Sequence, residues 1–96
     1  MEIHVTLRSY QRKPGVYTQQ MDDQVFLADP DTNVLFHLDP VGSAVWRLLE
    51  QPISIENIVD LLREAFPDED ADKVTSDVSV LFKQLSYSGL IIATDT

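Results

Sequence analysis

The side chains able to do covalent or metal chemistry are few in this chain, and they do not converge. There are two histidines, His4 and His37, and no cysteine. The two histidines fall in different strand-like segments and form no HxxxH or HExxH pair, so each reads as a sheet-face residue and not as a metal ligand. Without cysteine there is no thiolate nucleophile, disulfide or cysteine metal site. Serine, histidine and aspartate all occur, but no serine lies in a GxSxG turn. The three glycines are too scattered to make a phosphate-binding loop. The cluster Asp68, Glu69, Asp70 and Asp72 lacks the DxDxDG spacing and final glutamate of a calcium loop. It reads instead as the acidic start of a helix, where negative charge is favoured. The expectation is a protein that is not an enzyme and needs no cofactor and no metal.

Composition narrows the partners. Sixteen acidic residues against seven basic ones give a net charge of −9. That field repels phosphate backbones and argues against nucleic acid. Apolar residues make up 44% of the 96-residue chain and charged residues 24%, as in an ordinary single globular domain. No apolar run reaches the length of a membrane helix, and the start, Met1 to Tyr10, lacks the pattern of a signal peptide. A cytoplasmic location without membrane attachment is expected.

The elements that must position any site change character near Asp39. Before it, apolar residues alternate. Ile3, Val5 and Leu7 suggest an extra strand, and Arg12-Lys13-Pro14-Gly15 a turn or linker. Val16 to Gln20 is a short strand. Gln24 to Ala28 and Val34 to Leu38 are strands joined by the polar turn Asp29-Pro30-Asp31-Thr32-Asn33, and so a hairpin. After Asp39 the period is helical. Asp39-Pro40 is a strong helix start, and Val41, Ala44, Val45, Leu48 and Leu49 follow at helical spacing until Pro52 stops the helix. Gly42 inside this helix suggests close backbone packing. Ser54 caps a second helix, with Ile55, Ile58, Val59, Leu62 and Phe66 as its inner stripe. Asp70 or Asp72 caps a third, with Val74, Val78, Leu81, Phe82 and Leu85 inward. Gly89 ends it, and Leu90-Ile91-Ile92 makes a last strand or a plug. The fold class is α+β: a small antiparallel sheet of about three strands followed by three helices, in the order of a winged helix-turn-helix.

So few strands cannot close a barrel, so an edge is left. Val34 to Leu38 is short, holds no proline, and carries no charge apart from any proton on His37, so nothing along it blunts that edge. An extended peptide can add there through main-chain hydrogen bonds. Equally, another strand can cover it, such as Ile3 to Leu7 of the same chain or of a partner chain. A DNA-binding winged helix needs a basic recognition helix, yet Lys73 and Lys83 are balanced by Asp72 and Asp77. A DNA-binding regulator and a structural dimerisation module that swaps its N-terminal arm remain the alternatives.

The order and spacing of several motifs carry a resemblance. These are Val25-Phe26-Leu27-Ala28; Val34-Leu35-Phe36-His37-Leu38-Asp39; Gly42-Ser43-Ala44-Val45-Trp46-Arg47-Leu48-Leu49; Ser54-Ile55-Glu56-Asn57-Ile58-Val59; and Val74, Asp77-Val78, Leu81-Phe82, Leu85 and Gly89-Leu90-Ile91. Together they resemble the PqqD family, whose founding member serves pyrroloquinoline quinone biosynthesis. The resemblance divides the chain into an arm, residues 1–13, and a PqqD-like domain, residues 14–96. It implies a recognition element for ribosomally made, modified peptides. Such an element would bind a precursor's leader as an added strand and present it to a modifying enzyme, either a radical SAM protein or a leader peptidase. Carried onto this chain, the receiving strand is Asn33, Val34, Leu35, Phe36, His37 and Leu38. With Val78 and Leu85 turned to the core, Asp77, Val80, Leu81 and Gln84 would border the groove. The arm, which departs from the family pattern, would pair in a homodimer or cover that groove.

Overall fold

The computed structural model describes residues 8–22 and 24–94. Six strands and three helices follow one another as β1 (Ser9–Arg12), β2 (Tyr17–Met21), β3 (Gln24–Asp29), β4 (Val34–Leu38), α1 (Pro40–Leu48), β5 (Ile53–Ser54), α2 (Ile55–Ala65), α3 (Ala71–Tyr87) and β6 (Ile91–Thr94). The class is α+β, as the sequence suggests. The strands, however, form two three-stranded antiparallel sheets, ordered β2-β3-β4 and β5-β1-β6. The segment Ile3 to Leu7, read above as an arm strand, lies outside the described residues.

Local chemistry sets the element ends. Asp39 caps α1 by accepting from the Gly42 N–H at 2.7 Å, and Pro40 takes the first helical position, where no N–H is needed. Ser54 caps α2 by accepting from the Asn57 N–H. Asp70, not Asp72, caps α3, accepting from the N–H groups of Asp72 and Lys73. Gly89 follows α3 with φ +72°, and the next amide, Leu90, donates back to the Leu85 carbonyl. The β3–β4 turn ends on Asn33 at φ +60°, a conformation that asparagine tolerates better than most residues.

Pairing of Leu27 with Phe36 and of Val25 with Leu38 puts Val34, Phe36 and Leu38 on the inner face of the sheet, beside Val25, Leu27 and Asp29. Leu35 and His37 share the outer face with Phe26 and Ala28. The inner face meets Val45, Trp46 and Leu49 of α1, Ile58 and Leu62 of α2, and Val74, Val78, Phe82 and Leu85 of α3 in one apolar core. Leu90 and Ile91 complete it, so the terminal apolar run is both a plug and the start of a strand.

Three features correct the sequence reading. Arg12 is not part of a turn but the last residue of β1, and its guanidinium donates to the Trp46 carbonyl at 2.8 Å and lies 5.0 Å from that ring's centroid. Trp46, outside the expected α1 stripe, is fully buried and donates through Nε1 to Thr18 Oγ1 of β2. Asp29, read as a turn residue, ends β3 with its side chain buried and bonded to Lys13 at 2.7 Å.

Candidate functional site

Among the described residues β4 pairs with β3 on one side only and forms an edge of its sheet. α3 runs beside that edge in the opposite direction. Its inner side chains recur at Val74, Val78, Phe82 and Leu85, which turns the neighbouring stripe Asp77, Val80, Leu81 and Gln84 toward β4. Between the two elements lies a trough of about 350 Å³. It is walled by Phe36, His37 and Leu38 on one side and by Asp77, Val80, Leu81 and Gln84 on the other. It widens past Phe36, His37 and Gln84 into a second, shallower stretch bordered by Leu35, Lys83 and Tyr87.

The structure thus brings together seven of the ten residues singled out from sequence in the narrow stretch, and Leu35 in the wider one. Asn33 and Val34 border neither: Asn33 closes the turn, and Val34 packs against the core. Sequence reasoning missed Asp39, Val41 and Gly42, which close one end where β4 passes into α1, and Lys83 and Tyr87, which flank the other. The signal for the first three was their position directly after the edge strand. For the last two it was their spacing of three residues from Val80 and Gln84. Gly42 matters sterically. A Cβ there would stand 3.1 Å from Leu38 Cδ2 and 3.2 Å from Asp39 Oδ1, so glycine lets α1 start hard against the end of β4.

Large apolar side chains along the trough and its wider stretch are exposed. Leu35 is 72% exposed, Val80 52% and Tyr87 95%. Large apolar side chains left in water at one place mark an interaction surface. His37 lies on the outer face, its Nε2 3.1 Å from Gln24 Oε1 and its ring tilted against Phe26. Among the described residues no group of three or more histidine, aspartate or glutamate side chains could hold a metal ion. No helix among the described residues is long and apolar enough to cross a membrane. What this arrangement can do is accept an extended chain. An edge strand offers unpaired main-chain groups, and the helix beside it offers a row of side-chain contacts.

The family described as Coenzyme PQQ synthesis protein D (PqqD) matches residues 24–91, from the start of β3 to the start of β6. No curated protein matches the chain. Among solved structures, TbiB1 in complex with the TbiA(beta) leader peptide is similar at a TM-score of 0.74 and 29% identity. The likeness covers 90% of this chain and 99% of that one. The match spans the edge strand, the trough and all three helices, and on that ground the chain belongs to the PqqD family.

Proposed function

We propose that this protein is a recognition element for the leader segment of a ribosomally made precursor peptide. The leader adds as a strand to β4, its side chains enter the trough beside α3, and the bound leader is presented to a modifying enzyme. The observation that carries this reading is a β4 edge left unpaired among the described residues, with a trough next to it, in a chain similar over nine-tenths of its length to a protein solved with a leader peptide. Main-chain hydrogen bonds supply affinity in such a mode, and the side-chain pockets supply selectivity.

The protein acts by binding, not by catalysis, and meets its precursor in the cytoplasm where ribosomes make it. The modifying enzyme is a radical SAM protein or a leader peptidase, and pyrroloquinoline quinone synthesis is one such pathway. β1 is paired within its own chain, between β5 and β6, so the reading requires no second copy.

Titration with the leader of a precursor encoded nearby, followed by amide chemical shifts, tests the proposal. The expected result is large shifts in Val34–Leu38 and in Asp77–Gln84, with little change in β1 and β6. Unmoved β4 and α3 amides at high ligand concentration would sink it.

A further inference from the structure

The two ends of the trough carry opposite charge. Asp77 stands at the end where β4 passes into α1, and exposed Asp39 stands at the same end. Lys83 stands at the other end, beside Leu35 and Tyr87. Asp39 is engaged in capping α1. Asp77 and Lys83 make no ion pair or hydrogen bond with other described residues. A carboxylate without a partner among the described residues therefore lines the narrow stretch, and a similarly free ammonium borders the wider one, with Phe36 and Gln84 shared by both.

Resting on the leader-binding reading above, we infer that the trough reads the order of charge along its ligand. The ligand is a short extended segment with a cationic side chain first, an apolar side chain next and a carboxylate last, all on one face. Direction follows from strand pairing. A strand added antiparallel to β4, the slightly more stable arrangement, enters at the Leu38 end and leaves at the Val34 end. Its first inward side chain meets Asp77 and its last meets Lys83. Spacing follows from the helix. Six residues separate Asp77 from Lys83 on α3, a rise of about 9 Å at 1.5 Å per residue. Inward side chains of a strand recur about every 7 Å, so three successive ones span about 14 Å. The flexible four-carbon stem of Lys83 covers the difference. The pattern is cation, any residue, apolar, any residue, carboxylate. The middle apolar side chain lies against Phe36 and Leu81.

The test uses three fluorescein-labelled nonapeptides of one host sequence that differ only at the first and fifth positions of this pattern: Lys then Glu, Glu then Lys, and Gln then Gln. Anisotropy gives their affinities at low and high salt, and amide shifts locate them. The expected order is Lys–Glu, then Gln–Gln, then Glu–Lys, with about tenfold between the extremes at low salt. That corresponds to two rim contacts that change from attraction to repulsion, each individually modest. The gap narrows as salt screens it. The double exchange Asp77→Lys with Lys83→Asp, at two exposed helix positions, reverses the order. Equal binding of all three peptides, with shifts still in β4 and α3, would overturn the charge order and leave strand addition standing. Shifts absent from β4 and α3 with every peptide would overturn both.

Discussion

The sheet β2-β3-β4 has two edges, and they differ in what lies beneath them. β2, with sequence Tyr-Thr-Gln-Gln-Met, is exposed at every residue and bears neither charge nor proline. By strand chemistry alone it is as inviting as β4. Under β2, however, the Trp46 indole fills the inner face and bonds to Thr18. The depression nearby is also about 350 Å³, but it is bordered mainly by α1, through Pro40, Ser43, Ala44 and Arg47, with only Gln20 from β2 itself. Beside β4, by contrast, the described residues leave a trough that β4 and α3 line together, with Phe36 and Leu38 on one side and Val80, Leu81 and Gln84 on the other. An open edge is therefore not enough to define a binding site. The neighbouring helix decides whether an added strand gains side-chain contacts beyond its main-chain hydrogen bonds.

Four perturbations break or sharpen that contrast. The largest is Trp46→Ala. Truncating a fully buried tryptophan costs about 3–5 kcal/mol and leaves Thr18 without its partner. Urea denaturation should show that loss, and hydrogen exchange should show β2 losing protection before β4.

Next is Lys13→Met, which strips the cation from the buried Asp29 at the start of the β3–β4 turn. The hydrogen bond from Lys13 holds the Asp29 carboxyl below its ordinary value of 3.8, against the opposing effect of burial. A lowered folded pKa contributes stability above the unfolded value and loses it as pH falls. The stability gap between wild type and variant should hold from neutrality to about pH 4 and shrink below it. The Lys13 pKa is raised, chiefly by the same hydrogen bond, so the pair's contribution also fades above its ordinary 10.5. A gap independent of pH would remove the ion pair from the account.

The third perturbation compares the edges directly. Val80→Glu places charge in the trough and should weaken leader binding by about tenfold in anisotropy titrations, the effect of about 1.4 kcal/mol. Tyr17→Glu, at a position on β2 that is also more than half exposed, should leave affinity unchanged. Equal losses would mean that the peptide does not distinguish the two edges.

The smallest is Gly42→Ala. Helix propensity favours alanine by up to about 1 kcal/mol, but the added methyl meets Leu38 and the capping carboxylate of Asp39. Because Leu38 is buried and Asp39 is held by its cap, the net result should be a slight destabilisation, by about 0.5 kcal/mol in thermal or urea unfolding.

Features set by neighbours in sequence were legible from the start. The caps Asp39 and Ser54, the left-handed Gly89 and the β3–β4 hairpin each depend on a few adjacent residues. The stripe Asp77, Val80, Leu81 and Gln84 followed from helical period once Val78 was set inward. Long-range pairings were not legible. β1 reads Ser-Tyr-Gln-Arg, with little strand character, and is a strand because β5 and β6 supply main-chain partners more than forty positions away. Asp29 looked like a turn residue because its partner, Lys13, lies sixteen positions earlier. Trp46 fell outside the predicted stripe because the buried face of α1 is Gly42, Val45, Trp46 and Leu49, one step round the helix from Val41, Ala44 and Leu48, which are only partly buried. The width of the trough depends on how closely α3 approaches β4, a tertiary distance with no local signature.

The pairing of β1 with β6 has a topological consequence. Ser9 lies opposite Thr94, so the two ends of the described fold leave side by side from one sheet, while the β4 edge belongs to the other. Close ends make a domain easy to graft. It can be joined to another protein at either end, inserted into a loop, or circularly permuted by a short linker from Thr94 to Ser9. In each case the strand order around β4 is preserved. The architecture is that of a portable cassette.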